Sequence, residues 1–84
     1  MDKVIFRKFK GEIIAIILNT PFDRSYKDNK KYVMVYSHFG QHGYGDYEYL
    51  MENSKPAKEE EYKELKKEME TLFHYNIEEV NENE

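Results

Sequence analysis

Cysteine is absent from all 84 residues. That excludes disulfide staples, thiolate zinc sites, iron–sulfur clusters and Cys nucleophiles, and it is compatible with a reducing compartment. Long apolar runs are absent too. The longest, Ile13 to Leu18, has six residues, against ~20 for a membrane span. The N-terminal stretch has no basic start, apolar run and small-residue cleavage site in succession, so no secretory signal is read there and a cytoplasmic location is expected. A chain this short makes one domain and buries roughly two-thirds of its unfolded surface. That leaves little apolar material for a deep catalytic cleft beside a core. What is present points to a folded domain with a polar surface: 39% hydrophobic, 36% charged and 15% aromatic residues, with eight Tyr and five Phe.

The formal net charge of −4 averages two unlike halves. Residues 1–43 hold eight Lys/Arg against four Asp/Glu, and residues 44–84 hold five Lys against thirteen Asp/Glu. The basic residues are scattered rather than blocked, so solvated strand surface explains them better than a nucleic-acid face. Opposed charges would also permit head-to-tail association, or attraction between helix and sheet. Any nucleic-acid binding is expected to be weak and to depend on Arg7, Lys8, Lys30 and Lys31.

Along the chain, Lys3 to Phe9 reads as a strand, Lys10-Gly11 as a two-residue turn, and Glu12 to Leu18 as a central strand with both faces covered. The first strand is expected at the sheet edge. Pro21 is expected to stop the second strand, leaving 19–31 as a loop pinned by Phe22 and Tyr26. Tyr32 to His38 alternates, with Val33 and Val35 on one face and Tyr32, Met34 and Tyr36 on the other. His38 to Gly45 reads as a glycine-rich loop, Asp46 to Met51 as a weaker strand, and Asn53 to Pro56 as a break. Ala57 to Phe73 is the one long helix, its buried stripe being Tyr62, Leu65, Met69, Leu72 and Phe73. A short strand from Tyr75 to Val80 closes the domain, anchored by Ile77 and Val80.

The order β-β-β-(β)-α-β predicts an α+β fold of two layers: a mostly antiparallel sheet of four to five strands with one helix packed on it. Residues 1–80 form the domain and 81–84 a frayed polar tail. The helix stripe and the isoleucine run are expected to meet, so that Ile14, Ile16, Leu65, Met69 and Leu72 share one core.

Chemistry-bearing residues concentrate in 38–47. His38, Gln41, His42, Tyr44, Asp46 and Tyr47 are the candidate binding residues. Glycine lets a partner's backbone approach closely, and these polar side chains would orient it. His38, His42 and Asp46 have the right donor types for a divalent metal, but a glycine-rich segment does not hold i and i+4 on one face. Polar groups bonding the loop's own backbone are the simpler account. A general acid/base role for His38 or His42 with Asp46 lacks a nucleophile beside it. His74 reads as a structural residue at the helix end. The glycines at 40, 43 and 45 stand in the wrong order for a dinucleotide fingerprint. No cofactor and no catalytic residue is expected. Tyr32, Tyr36, Tyr44, Tyr47 and Tyr49 could cover the core edge, meet a protein or stack on bases, in that order of preference.

VIFRKFKGEIIAI (4–16), HFGQHGYGDYEY (38–49) and KPAKEEEYKELKKEME (55–70) together resemble a group of small uncharacterised proteins of gut bacteria and their phages. The resemblance implies a strand hairpin, an H-x-G-Q-H-G loop, a K-P-A-x-x-E-E-Y helix and a closing strand. It implies no activity. Thr and Pro open the helix in that group where Lys58 and Glu59 stand here, and the loop around 22–31 is longer here. The expectation is a non-enzymatic protein-interaction module of a phage or mobile element that binds a host component in a bacterial or infected cell, through an unidentified protein partner, with homo-oligomerisation open. The alternatives are a nucleic-acid or nucleotide binder using the Tyr-rich face, and a metal protein or metal-dependent enzyme using His38, His42 and Asp46.

Overall fold

The hairpin at the start of the chain sets the sheet. Strand β1 (Asp2–Phe9) turns through Lys10 and Gly11 into β2 (Glu12–Phe22). Both turn residues have positive φ, +50° and +83°, the mirror-image turn whose twist matches paired strands. Only the glycine adopts it without steric cost. Phe9 pairs with Glu12, and the register runs unbroken to Val4 and Ile17. The computed structural model describes residues 1–22, 32–38 and 41–80.

Strand β3 (Tyr32–Ser37) pairs with β2, Ala15 opposite Tyr36 and Ile17 opposite Met34. The register then shifts, and pairing resumes at Pro21 opposite Val33. Pro21 therefore does not end β2, which continues to Phe22. A strand irregularity is where a residue without an N–H is tolerated. Asn19 lies in this break. Its amide accepts from the Lys3 N–H at 3.1 Å and donates to the Met1 carbonyl at 2.9 Å, replacing backbone pairing with β1. Tyr26 lies outside the described residues, as do Lys30 and Lys31.

Strand β4 (Gln41–Asp46) follows, then helix α1 (Tyr47–Glu52), strand β5 (Ser54–Pro56), helix α2 (Glu59–Leu72) and strand β6 (Ile77–Glu79). Two expectations are corrected here. The glycine-rich segment is a strand from Gln41, and the weak strand expected over Asp46 to Met51 is a helical turn and a half. Asp46 causes the switch: its carboxylate accepts from the Glu48 N–H at 3.1 Å and caps α1. The break at 53–56 is itself a short strand, antiparallel to β1.

The sheet order is β4-β3-β2-β1-β5, with β6 parallel to β1 beyond its other half. The first strand is therefore interior, covered by β5 at one end and β6 at the other. The fold is α+β, mostly antiparallel, with α2 laid across one face. Val4, Phe6, Ala15, Ile17 and Tyr36 meet Leu65 and Met69 there. The opposite face packs Ile14, Ile16 and Val33 against Leu50 of α1. The expected single core is thus two half-cores. A strand's successive side chains point to opposite faces, so Ile14 and Ile16 cannot join the Leu65 layer that Ala15 and Ile17 occupy. Leu72 joins neither and is 65% exposed.

Helix α2 starts without a side-chain cap from Lys58. Instead Glu61 folds back and accepts from the Lys58 N–H at 2.9 Å. It ends at Leu72, and His74, with a positive φ of 58°, turns the chain toward β6. Asp2 and Asn76 then exchange two hydrogen bonds, of 2.8 and 3.0 Å, and seat β6.

Candidate functional site

The two edges of the sheet are unlike. One is divided into β5 and β6, three residues each, carrying Lys55, Pro56, Glu78 and Glu79. Charges, prolines and short strands are the usual guards against unwanted strand pairing. The other edge is β4, QHGYGD, six residues with no Lys, Arg or Pro. Its register with β3 is continuous from Ser37–Gln41 to Tyr32–Asp46, with no bulge to twist it away. Among the described residues no strand pairs with its outer side.

Directly paired residues share a face. His42, Tyr44 and Asp46, opposite Tyr36, Met34 and Tyr32, therefore lie on the α2 face. Gln41, Gly43 and Gly45, opposite Ser37, Val35 and Val33, lie on the α1 face.

On the α2 face His42 sits among aromatics. Its ring meets Tyr36 edge-on at 4.7 Å and Phe73 at 5.0 Å, and its Nε2 lies 3.1 Å from the Tyr75 hydroxyl. Burial pushes the Tyr75 hydroxyl pKa up, helped by Asp2 and Tyr44 nearby. That hydroxyl donates to Met34 Sδ at 3.7 Å. Tyr36 is fully buried and donates to the Glu68 carboxylate of α2. His38 Nδ1 lies 3.6 Å from the other Glu68 oxygen. Tyr44 is half exposed, and Phe73 and Leu72 are exposed at the end of α2. An apolar rim thus borders β4 on this face.

On the α1 face the two glycines bring no side chain of their own to the sheet. A Cβ at Gly45 would fall 2.8 Å from Leu50 Cδ1, so that glycine makes room for α1. A Cβ at Gly43 would meet nothing within 4 Å. The result is an open cavity of about 310 Å³ with Phe9, Ile14, Val35, Gly43 and Leu50 in its wall. Gln41 and Tyr44 also border it. Such a space fits one large apolar side chain with polar groups at its margin.

The candidate residues are therefore strung along one edge strand and its flanks, not gathered in one loop. Gln41, His42 and Tyr44 all border the cavity, the ring of His42 lying in the aromatic cluster of the α2 face, and Asp46 caps α1. Tyr47 packs on the α1-face core, and His38 pairs with Glu68. His38, His42 and Asp46 turn to different partners, and among the described residues no three His, Cys, Asp or Glu stand together to hold a metal. The tyrosines do not share one stacking face, since Tyr36 is inside the core and Tyr47 lies against the opposite half-core. Arg7, expected as a phosphate contact, is buried, and Lys8 pairs with Glu61 at 3.3 Å.

Phe9, Ile14, Val35, Leu50, Leu72 and Phe73 were not legible as site residues. The readable signal was Gly43-x-Gly45: two glycines two apart in a strand strip one face of side chains. No protein-family model, curated protein or solved structure matches the chain.

Proposed function

We propose that the chain is a small protein-binding module that takes up a segment of another polypeptide as an added strand along β4. The observation that carries this reading is the unguarded, regular edge with an apolar cavity beside it. Strand addition draws affinity from main-chain hydrogen bonds and selectivity from pockets that receive alternate side chains. The bare Gly43 position supplies such a pocket. Tyr44 and Phe73 supply the apolar rim on the other face. Aromatic residues of this kind anchor protein interfaces at low conformational cost.

The probe is a library of random peptides about ten residues long, long enough to span an edge strand. The protein is expected to retain sequences with large apolar residues at alternate positions. Gly43→Val fills the cavity floor and Tyr44→Lys puts a guard on the edge; both should abolish retention while the fold persists by circular dichroism. Retained peptides that bind both variants normally, or none retained at all, would overturn the reading.

A further inference from the structure

We infer that the Lys10-Gly11 turn and strand β5 form a binding site for a dianionic phosphate group, either free phosphate or the monoester of a small molecule. The site is independent of the strand-addition reading, because the sheet order places β5 on the far side from β4. An open hollow of about 470 Å³ lies there, with Lys8, Lys10, Gly11, Glu52, Ser54 and Lys55 in its wall. Three lysines against one glutamate reverse, locally, the sign of a chain whose net charge is −4. Lys8 and Lys55 stand directly opposite each other in the β1–β5 register. Such a pair shares a face with Cβ atoms about 5 Å apart, and like charges so placed repel. An anion between the ammonium groups converts that repulsion into attraction.

The surrounding carboxylates leave this charge unbalanced. Lys8 meets Glu61 at 3.3 Å. Lys10 Nζ lies 5.2 Å from the centre of the Phe9 ring, and among the described residues neither Lys10 nor Lys55 has an ion-pair partner. Two ammonium groups thus remain for a ligand, which matches a dianion. Guarding the sheet edge does not explain the arrangement. A glutamate at 55 would guard it equally and would also pair with Lys8. Lysine is a point charge rather than a fork; it suits phosphate oxygens and lacks the bidentate fit that arginine gives a carboxylate. Gly11 opens the approach, since a Cβ there would meet nothing within 4 Å, and bare backbone lets an oxyanion come close. Glu52 is the one carboxylate in the wall, and it opposes an anion. The hollow is larger than one phosphate group and leaves room for the organic part of an ester.

The test is titration with inorganic phosphate, phenyl phosphate and dimethyl phosphate at about pH 8, where monoesters are dianions, with sodium chloride holding the ionic strength constant. The amide NMR signals of Lys10, Gly11 and Lys55 should shift saturably with the two dianions and not with dimethyl phosphate, a monoanion. Tighter binding of phenyl phosphate assigns the site to esters, and equal or tighter binding of inorganic phosphate assigns it to the free ion; either supports the proposal. Lys10→Gln and Lys55→Gln should each weaken binding on the order of ten-fold, through loss of one charge-assisted contact. Glu52→Gln should tighten it, and Lys63→Gln, exposed on α2, should leave it unchanged. Without phosphate, Lys55→Gln should melt no lower than the original chain, because it removes a like-charge pair. Its lost binding is then not lost folding. Absence of saturable shifts, an equal response to dimethyl phosphate, or unchanged affinity in Lys10→Gln and Lys55→Gln would overturn the site. A Lys55→Gln protein that melts well below the original would overturn the like-charge repulsion on which it rests.

Discussion

Arg7 grips Ser54 twice: its Nε donates to the hydroxyl at 2.8 Å and its Nη2 to the carbonyl at 2.7 Å. The same Nη2 reaches the Met51 carbonyl at 3.0 Å. The Ser54 hydroxyl in turn donates to the Leu50 carbonyl. One buried guanidinium thus ties β1 to the end of α1 and the start of β5, and α1 forms the far wall of the cavity beside β4. A rigid planar fork of five N–H donors reaches these separate acceptors in fixed directions, a geometry that the compact ammonium of Lys does not reproduce.

Replacing Arg7 is therefore expected to register as lost stability. Arg7→Met should cost about 3 kcal/mol by leaving buried carbonyls unpaired, and Arg7→Lys should recover only part of it. Urea unfolding measures both. An Arg7→Met protein as stable as the original would show that the guanidinium does not hold this corner.

The helix stripe divides sharply between buried and exposed positions. Leu65 and Met69 are 1% and 0% exposed, whereas Leu72 is 65% exposed. Leu65→Ala and Met69→Ala should each cost about 2–5 kcal/mol. Leu72→Ala should stay within about 0.5 kcal/mol, as surface changes do. Thermal melts separate the two groups, and equal losses at all three positions would contradict the packing.

The two strand glycines should respond oppositely to substitution. Gly45→Val drives a side chain into Leu50 and should destabilise by about 1–3 kcal/mol, the usual cost of overpacking. Gly43→Val enters open space and replaces a poor strand former, so stability should hold or rise by up to about 1 kcal/mol. Chemical denaturation of the pair gives the comparison; a larger loss at Gly43 would mean its cavity is not open.

Glu61 should contribute to the acid limb of stability. The Lys58 N–H, and then the Lys8 ammonium, hold its pKa below the ordinary value. A depressed folded-state pKa means that the contribution is complete above the unfolded value and is lost as pH falls through the folded one. Glu61→Gln keeps an acceptor for the Lys58 N–H but cannot titrate. Stability measured from neutral to acid pH should therefore fall less steeply in that variant, and an identical slope would dismiss the role of this carboxylate.

The antiparallel hairpin, the two-faced β2 and the long helix were legible because each rests on a local rule. Lys10-Gly11 supplies a mirror-image turn, the isoleucine run has the continuous hydrophobicity of a strand buried on both faces, and Leu65 and Met69 repeat at helical spacing. The glycines of 38–47 also singled out the segment that holds the edge strand β4. Tertiary structure decided the rest. Three residues of register shift in β2 accommodate Pro21, and nothing local announces where a partner strand resumes. Asp46 is a poor strand former and a good cap, but its cap role depends on α1 finding Ile14 and Ile16 to cover. Gln41 to Asp46 lacks strand propensity and is extended because β3 offers it a ladder of pairs. Its place at the edge, and the cavity beside Gly43, follow from how Phe9, Val35 and Leu50 meet across strands far apart in the chain. Side-chain alternation is a property of one strand, but which strand lies outermost is a property of the whole sheet.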